Sequence, residues 1–136
     1  MRMLTFQARR FAWRPCAKTV EAAADVTAGG EAVEAVVAWL HAEAADVEDR
    51  RRVFRHALKH IKWIANKRGL RHVVLHFFAH LGGESAEATF AQAFIADLAE
   101  RLQSTGYTVS VTPFGYFCAW ELEVYGDSLA KVYKTI

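Results

Sequence analysis

Cysteine is nearly missing from this chain: Cys16 and Cys118 stand far apart, with no C-x-x-C anywhere. That gives no basis for a disulfide framework or a zinc knuckle and leaves reduced thiols as the default. No apolar run approaches the ~20 residues of a membrane helix. The start, Met1-Arg2-Met3-Leu4-Thr5-Phe6, lacks the long apolar stretch and small-residue cleavage site of a secretory leader, so a cytoplasmic location is expected. Internal repeats and low-complexity tracts are absent too. Charge of one sign is missing over two long stretches. From residue 21 to 49 there is no Lys or Arg, while Glu21, Asp25, Glu31, Glu34, Glu43, Asp46, Glu48 and Asp49 all fall there. From Arg50 to Arg71 there is no Asp or Glu, while Arg50, Arg51, Arg52, Arg55, Lys59, Lys62, Lys67, Arg68 and Arg71 crowd together. The net charge of +2 hides this division. A polyanion is expected to bind one side and be repelled from the other.

What is present is apolar and aromatic. A hydrophobic fraction of 53%, with nine Phe, four Trp and four Tyr in 136 residues, is enough for one packed domain, here residues 1–136. Met3 to Trp13 is rich in β-formers, and Pro15 should stop it, so a strand is expected there. Glu21 to Glu31, with Gly29-Gly30, is expected to be a loop. Ala32 to Ala42 is compatible with helix or strand on its own pattern.

Val47 to Arg68 carries the strongest helical signal. Asp46 or Asp49 can cap it, acids are expected in its first turn, and Gly69 stops it after Lys67-Arg68. Phe54, Ala57, Leu58, Ile61, Ile64 and Ala65 form a buried stripe. At about 100° per residue His56, His60, Trp63 and Lys67 fall on the opposite side. His72 to Phe78 is a dense apolar strand, Ser85 to Thr105 a second amphipathic helix with half a capping box, Tyr107 to Thr112 a β-branched strand, and Phe117 to Tyr125 a last one. The order ββαβαββ predicts a mixed α/β single domain with a central sheet and two main helices on one face.

Histidine spacing does not build a metal site. His72, His76 and His80 recur every four residues, but on a strand rising ~3.3 Å per residue neighbours would be ~13 Å apart. His56 and His60 suit a helix face, yet no carboxylate or thiolate completes the ~4 ligands zinc takes. No cofactor motif is present. His80 closes a buried strand at a Gly-Gly turn, where a core histidine and an anion- or carbonyl-facing one are both reasonable. Pro113-Phe114-Gly115-Tyr116 is, from spacing alone, a strand-to-strand turn.

The blocks Phe78-Ala79-His80-Leu81 and Pro113-Phe114-Gly115-Tyr116, with the closing segment Tyr125-Gly126-Asp127-Ser128-Leu129-Ala130, resemble the editing domain of archaeal threonyl-tRNA synthetases, a module that hydrolyses mischarged seryl-tRNA. The resemblance covers roughly Val73 to Thr135. It implies a D-aminoacyl-tRNA deacylase-like fold, and it tips Ala32 to Ala42 toward strand. It implies a freestanding deacylase acting in trans on seryl-tRNA(Thr), a partner in the tRNA acceptor end and a threonyl-tRNA synthetase, and a homodimer. Ala79, His80, Gly82 and Gly83 would line the aminoacyl pocket, the glycines standing where the family has serines. Pro113, Phe114, Gly115, Tyr116 and Phe117 would receive the terminal adenosine.

Cys118 stands at the family's catalytic lysine, Lys131 at its glutamate, and Gln7-Ala8-Arg9 near its His-Ser-Asp. Three outcomes are compatible with these departures. The ribose 2′-OH and a positioned water could suffice, with Lys131 reaching inward. Cys118 could be a nucleophile if Lys131 or His80 lowered its pKa. Or the domain could bind charged tRNA without catalysis. In each case two readings of Arg51, Arg55, Lys59, Lys62 and Lys67 stay open: contact with phosphates, with Trp63, His56 and His60 able to stack on a base, or a solvated charged face over a dimer contact.

Overall fold

A computed structural model describes residues 1–136. Strand β1 is Arg2–Lys18, β2 Gly30–His41, β3 His72–Phe77, β4 Thr108–Val111, β5 Tyr116–Val124 and β6 Lys131–Thr135; helix α1 is Arg50–Arg68 and α2 Ala88–Ser104. The sheet runs β4-β3-β2-β1-β5, with β6 also beside β1. β2, β3 and β4 are parallel, and β1 pairs antiparallel with β2, β5 and β6. This is the expected mixed α/β domain with one more strand than the sequence predicted.

Alternation along the strands separates two cores. Val36, Ala38, Leu40, Val73 and Leu75 point to the side where Ile61 and Ile64 of α1 and Phe94 and Leu98 of α2 complete the larger core. Ala35, Val37 and Val74 point the other way, against Ala8 and Phe11 of β1, with Trp13, Trp39 and Leu122 at the margin. Trp120 pairs with Trp13, which pairs with Gly30. In a flat sheet Trp120 would therefore lie nine residues, ~30 Å, from Trp39 along β2. Their rings are in fact 4.5 Å apart. The distal half of β1 and its partner β5 thus curl back over the face away from the helices, and this curl creates the cleft described below. Register shifts between Ala8 and Arg10 and between Pro15 and Ala17 supply the bends.

Five expectations require correction. Pro15 does not end β1, because beyond Trp13 that strand has only β5 as a partner and the missing N–H falls on its open edge, next to a bulge. α1 begins at Arg50, with no acid in its first turn. Asp46 does not cap it: its side chain is 2.6 Å from the Met1 ammonium and accepts the Glu43 amide at 2.7 Å, closing a 3-10 turn at Ala44–Val47. Ser85 is likewise not a helix cap but bonds to His41, and α2 starts at Ala88. His60 is buried, 6% exposed. The inward stripe of α1 is Val53, Ala57, His60, Ile61, Ile64 and Ala65, with Phe54 and Leu58 only partly covered.

Candidate active site

The cleft lies where the C-terminal end of β3 meets the start of the curled β5. It has a volume of about 330 Å³ and is lined by Thr19, His76 to His80, Pro113, Gly115 to Cys118 and Trp120. Seven residues expected from the sequence are here: Ala79, His80, Pro113, Gly115, Tyr116, Phe117 and Cys118. Four are not. Phe114 turns inward and packs on Phe77, ring centroids 4.9 Å apart. Lys131 is exposed on β6, paired with Phe6. Gly82 and Gly83 lie outside the lining with φ of 101° and 82°, and a Cβ on Gly83 would sit 2.1 Å from the Glu43 carboxylate. Glycine is needed there for backbone conformation and for the approach of Glu43 and Arg2, not to widen the cleft.

Tyr116 shapes the site with its ring while its hydroxyl is committed elsewhere. The hydroxyl donates to the Ala24 carbonyl at 2.9 Å and accepts the Val26 amide at 3.0 Å. The amides of Thr19 and Val20 reach the Gly115 carbonyl at 2.7 and 3.3 Å. Residues 19–26 are thereby strapped across the Pro113–Tyr116 turn. Gly115, at φ 79°, leaves room for Val20 and Ala23.

His76 was not singled out as a site residue by sequence, yet it forms part of the wall. It is 3% exposed, and its Nδ1 is 2.7 Å from the Thr112 hydroxyl. That hydroxyl also reaches the Leu75 carbonyl at 3.5 Å. Nδ1 is thereby committed to Thr112, and Nε2 is the ring nitrogen left without a protein partner. Burial pushes the imidazole pKa down to about 4, so it is neutral at physiological pH. Its neighbours Trp120 and Phe78 stand at 5.2 and 6.2 Å between centroids. Behind them Trp39 Nε1 is buried without a hydrogen-bond partner.

His80 is exposed at the rim, edge-on to Phe78 at 5.3 Å. The loop that carries it is held from below by His41, which accepts the Leu81 amide at 3.3 Å and bonds Ser85 Oγ at 2.9 Å. Cys118 is half-buried. Burial, and secondarily Cys16, push its thiol pKa up. No cation activates it, and a protonated thiol is a poor nucleophile. The arrangement therefore offers a neutral buried imidazole, a rim imidazole and apolar walls, but no thiolate and no cation inside.

Residues 1–136 match the sequence profile of the Archaea-specific editing domain of threonyl-tRNA synthetase. The chain belongs to that family. Among its relatives are the threonine–tRNA ligases of Pyrococcus horikoshii, 32% identical over 79% of the chain and 17% of that protein, and of Thermofilum pendens, 28% identical over 100% of the chain and 22% of that protein. The chain thus spans about a fifth of the curated relatives it matches. A solved structure of the c-Myc DNA Unwinding Element Binding Protein superposes with a TM-score of 0.71 at 12% identity, covering 100% of this chain and 99% of that one. This last likeness shows the shared fold alone. Of the two positions, Cys118 is on the cleft wall and Lys131 is absent from its lining.

Proposed function

We propose that this editing domain hydrolyses the ester of a mischarged aminoacyl-tRNA, with seryl-tRNA(Thr) as the default substrate, and that it acts in trans as a freestanding homodimer, recruited by a threonyl-tRNA synthetase. The observation that carries the proposal is the convergence of His76, His80 and the Pro113–Cys118 turn on one cleft in a chain of this family. The terminal adenosine fits against the aromatic surface of Tyr116 and Phe117, and the aminoacyl group lies between His80 and the His76 wall. Water adds to the acyl carbon, the bond to the ribose oxygen breaks, and that oxygen takes a proton. The neighbouring ribose hydroxyl, brought by the RNA, supplies the proton handling that the chain lacks at Cys118. His76 Nε2, on a ring that stays neutral, can hold the α-ammonium or the attacking water, while His80 at the rim stands beside the leaving oxygen. Discrimination then comes from wall shape and from leaving a buried ring nitrogen unmatched by the wrong side chain.

A non-catalytic tRNA-binding module is the second reading. It is favoured by the thiol at Cys118 and by the absence of Lys131 from the lining. Release of serine from seryl-tRNA(Thr), with threonyl-tRNA(Thr) as control, decides between them. Selective release that falls at least tenfold in His80→Ala supports the enzyme. Release no faster than the uncatalysed ester, with tRNA still bound, supports the module.

A further inference from the structure

His80 stands exposed at the cleft rim, with Phe78 edge-on at 5.3 Å. A single edge contact does not fix a ring, so the place of His80 depends on the backbone that carries it. On one side the Phe78 amide donates to the Leu40 carbonyl at 2.9 Å. On the other, the Ala44 amide reaches the Glu84 carbonyl and the Ala86 amide the Ala42 carbonyl, both at 2.9 Å. Between these clasps residues 79–83 make no backbone–backbone hydrogen bond. Gly82 and Gly83 bring no side chain to pack and sit at φ 101° and 82°. The ties come instead at Leu81: its amide donates to His41 Nδ1 at 3.3 Å, and Arg2 Nη1 reaches its carbonyl at 3.5 Å, the outer limit of a hydrogen bond.

The tie to His41 has a defined chemistry. His41 is 1% exposed. A backbone N–H can only donate, so Nδ1 must carry the lone pair. The neutral ring then holds its proton on Nε2 and donates it to Ser85 Oγ at 2.9 Å. Burial lowers the ring's pKa against the pull of Glu43, which keeps it in that neutral form at physiological pH. Ser85 thus sets ring plane and tautomer, and Nδ1 is left as a fixed acceptor beneath the loop.

We propose that His41 is a positioning residue for the reaction in the cleft: by holding the Leu81 amide it sets where the His80 imidazole stands relative to the ester. This rests on the deacylase reading of the cleft. A reacting group displaced by ~1 Å can cost about a hundredfold in rate, so a contact one residue from His80 governs turnover without touching substrate.

The test compares His41→Leu, which fills a similar volume without an acceptor, with His41→Asn, whose Oδ1 can take the place of Nδ1. In serine release from seryl-tRNA(Thr), His41→Leu should lower kcat about tenfold or more with KM within about twofold of the parent, and His41→Asn should keep kcat within about threefold. Ser85→Ala, which frees the ring to turn, should lower kcat about threefold and keeps the proposal testable if His41→Leu does not fold. Thr5→Val removes a buried hydrogen bond to His60 elsewhere, matches the stability loss and should keep the parent's kcat. Hydrogen exchange at the Leu81 amide, followed by NMR, should be slow in the parent and in His41→Asn and fast in His41→Leu. Parent kcat in His41→Leu, or in Ser85→Ala where the former does not fold, overturns the proposal. So does an equal fall in His41→Leu, His41→Asn and Thr5→Val, which would mean that His41 only stabilises the fold. A parent that releases no serine sinks the deacylase reading and the catalytic role with it, while the exchange pattern still shows whether His41 holds the loop.

Discussion

His76 and Thr112, from neighbouring strand ends, meet at 2.7 Å beneath the cleft, which engages Nδ1 and leaves Nε2 as the free ring nitrogen. Thr112→Val removes that partner at nearly constant volume. The ring is then free to turn or to change tautomer. Turnover on seryl-tRNA(Thr) should fall about tenfold, with a stability loss of about 1 kcal/mol in urea melts. His76→Phe should lose as much turnover while keeping the wall apolar. Full activity in both variants would remove His76 from the site.

Stability should depend on pH through two buried imidazoles. Burial lowers the pKa of His76 to about 4, and burial followed by Lys134 lowers that of His60 to about 4. The unfolded chain protonates these groups near their ordinary value of 6.5. Below that value it binds protons that the folded chain does not, so stability is full above pH 6.5 and falls toward pH 4. His76 alone should account for a loss of about 1–2 kcal/mol near pH 5. Thermal melts of the parent and of His76→Gln across this window check it: the variant should be less stable at neutral pH but show a shallower slope.

Cys118 can be tested as a nucleophile directly. Because burial holds its thiol protonated, Cys118→Ser should change serine release by no more than about twofold, and alkylation by iodoacetamide at neutral pH should be slow, as for an unactivated thiol. Cys118→Lys places in the cleft wall the residue type that the resemblance implies there. Under the editing reading it should raise turnover.

Gly83→Ser places at the turn the residue type that the resemblance implies there. At φ 82°, and with a Cβ position 2.1 Å from Glu43, it should destabilise the fold by about 2 kcal/mol or more rather than sharpen selectivity. A urea midpoint equal to the parent's would show that the turn can rearrange.

Tyr116→Phe keeps the ring on the cleft and removes the hydroxyl that ties Ala24 and Val26. Residues 19–26 should become the first site of limited proteolysis, with a stability loss of about 1 kcal/mol. Protection equal to the parent's would show that the backbone bonds to Gly115 hold the strap alone.

The parts of this molecule that were legible in the sequence are those whose pattern is local. The inward stripe of α1 around Ile61 and Ile64, the dense β3 strand, and the turn before Cys118 all come from runs of a few residues. His60 was misplaced because a polar residue flanking an apolar stripe defaults to the solvent side. Its partner Thr5 lies 55 positions away. β6 escaped because Lys131-Val132-Tyr133-Lys134-Thr135 is short and charged, and it is held in place by the opposite end of the chain. The cleft residues His80 and Tyr116 were visible as motif members. His76 looked like one polar interruption of a core strand, and only the curl of β5 shows that its face of the sheet is a wall.

β1 is the first strand made and the last completed. Its C-terminal half needs β5 and its N-terminal half needs Lys131–Thr135, up to a hydrogen bond from the Ile136 amide to the Met1 carbonyl at 2.9 Å. During synthesis β1 and β2 can pair as a hairpin, but one edge of β1 stays open until the last residues of this domain have left the ribosome. Closing so long a loop is entropically slow. Its folding rate should therefore be set by capture of β6, and a chain lacking those five residues should offer the open edge of β1 to other chains and aggregate.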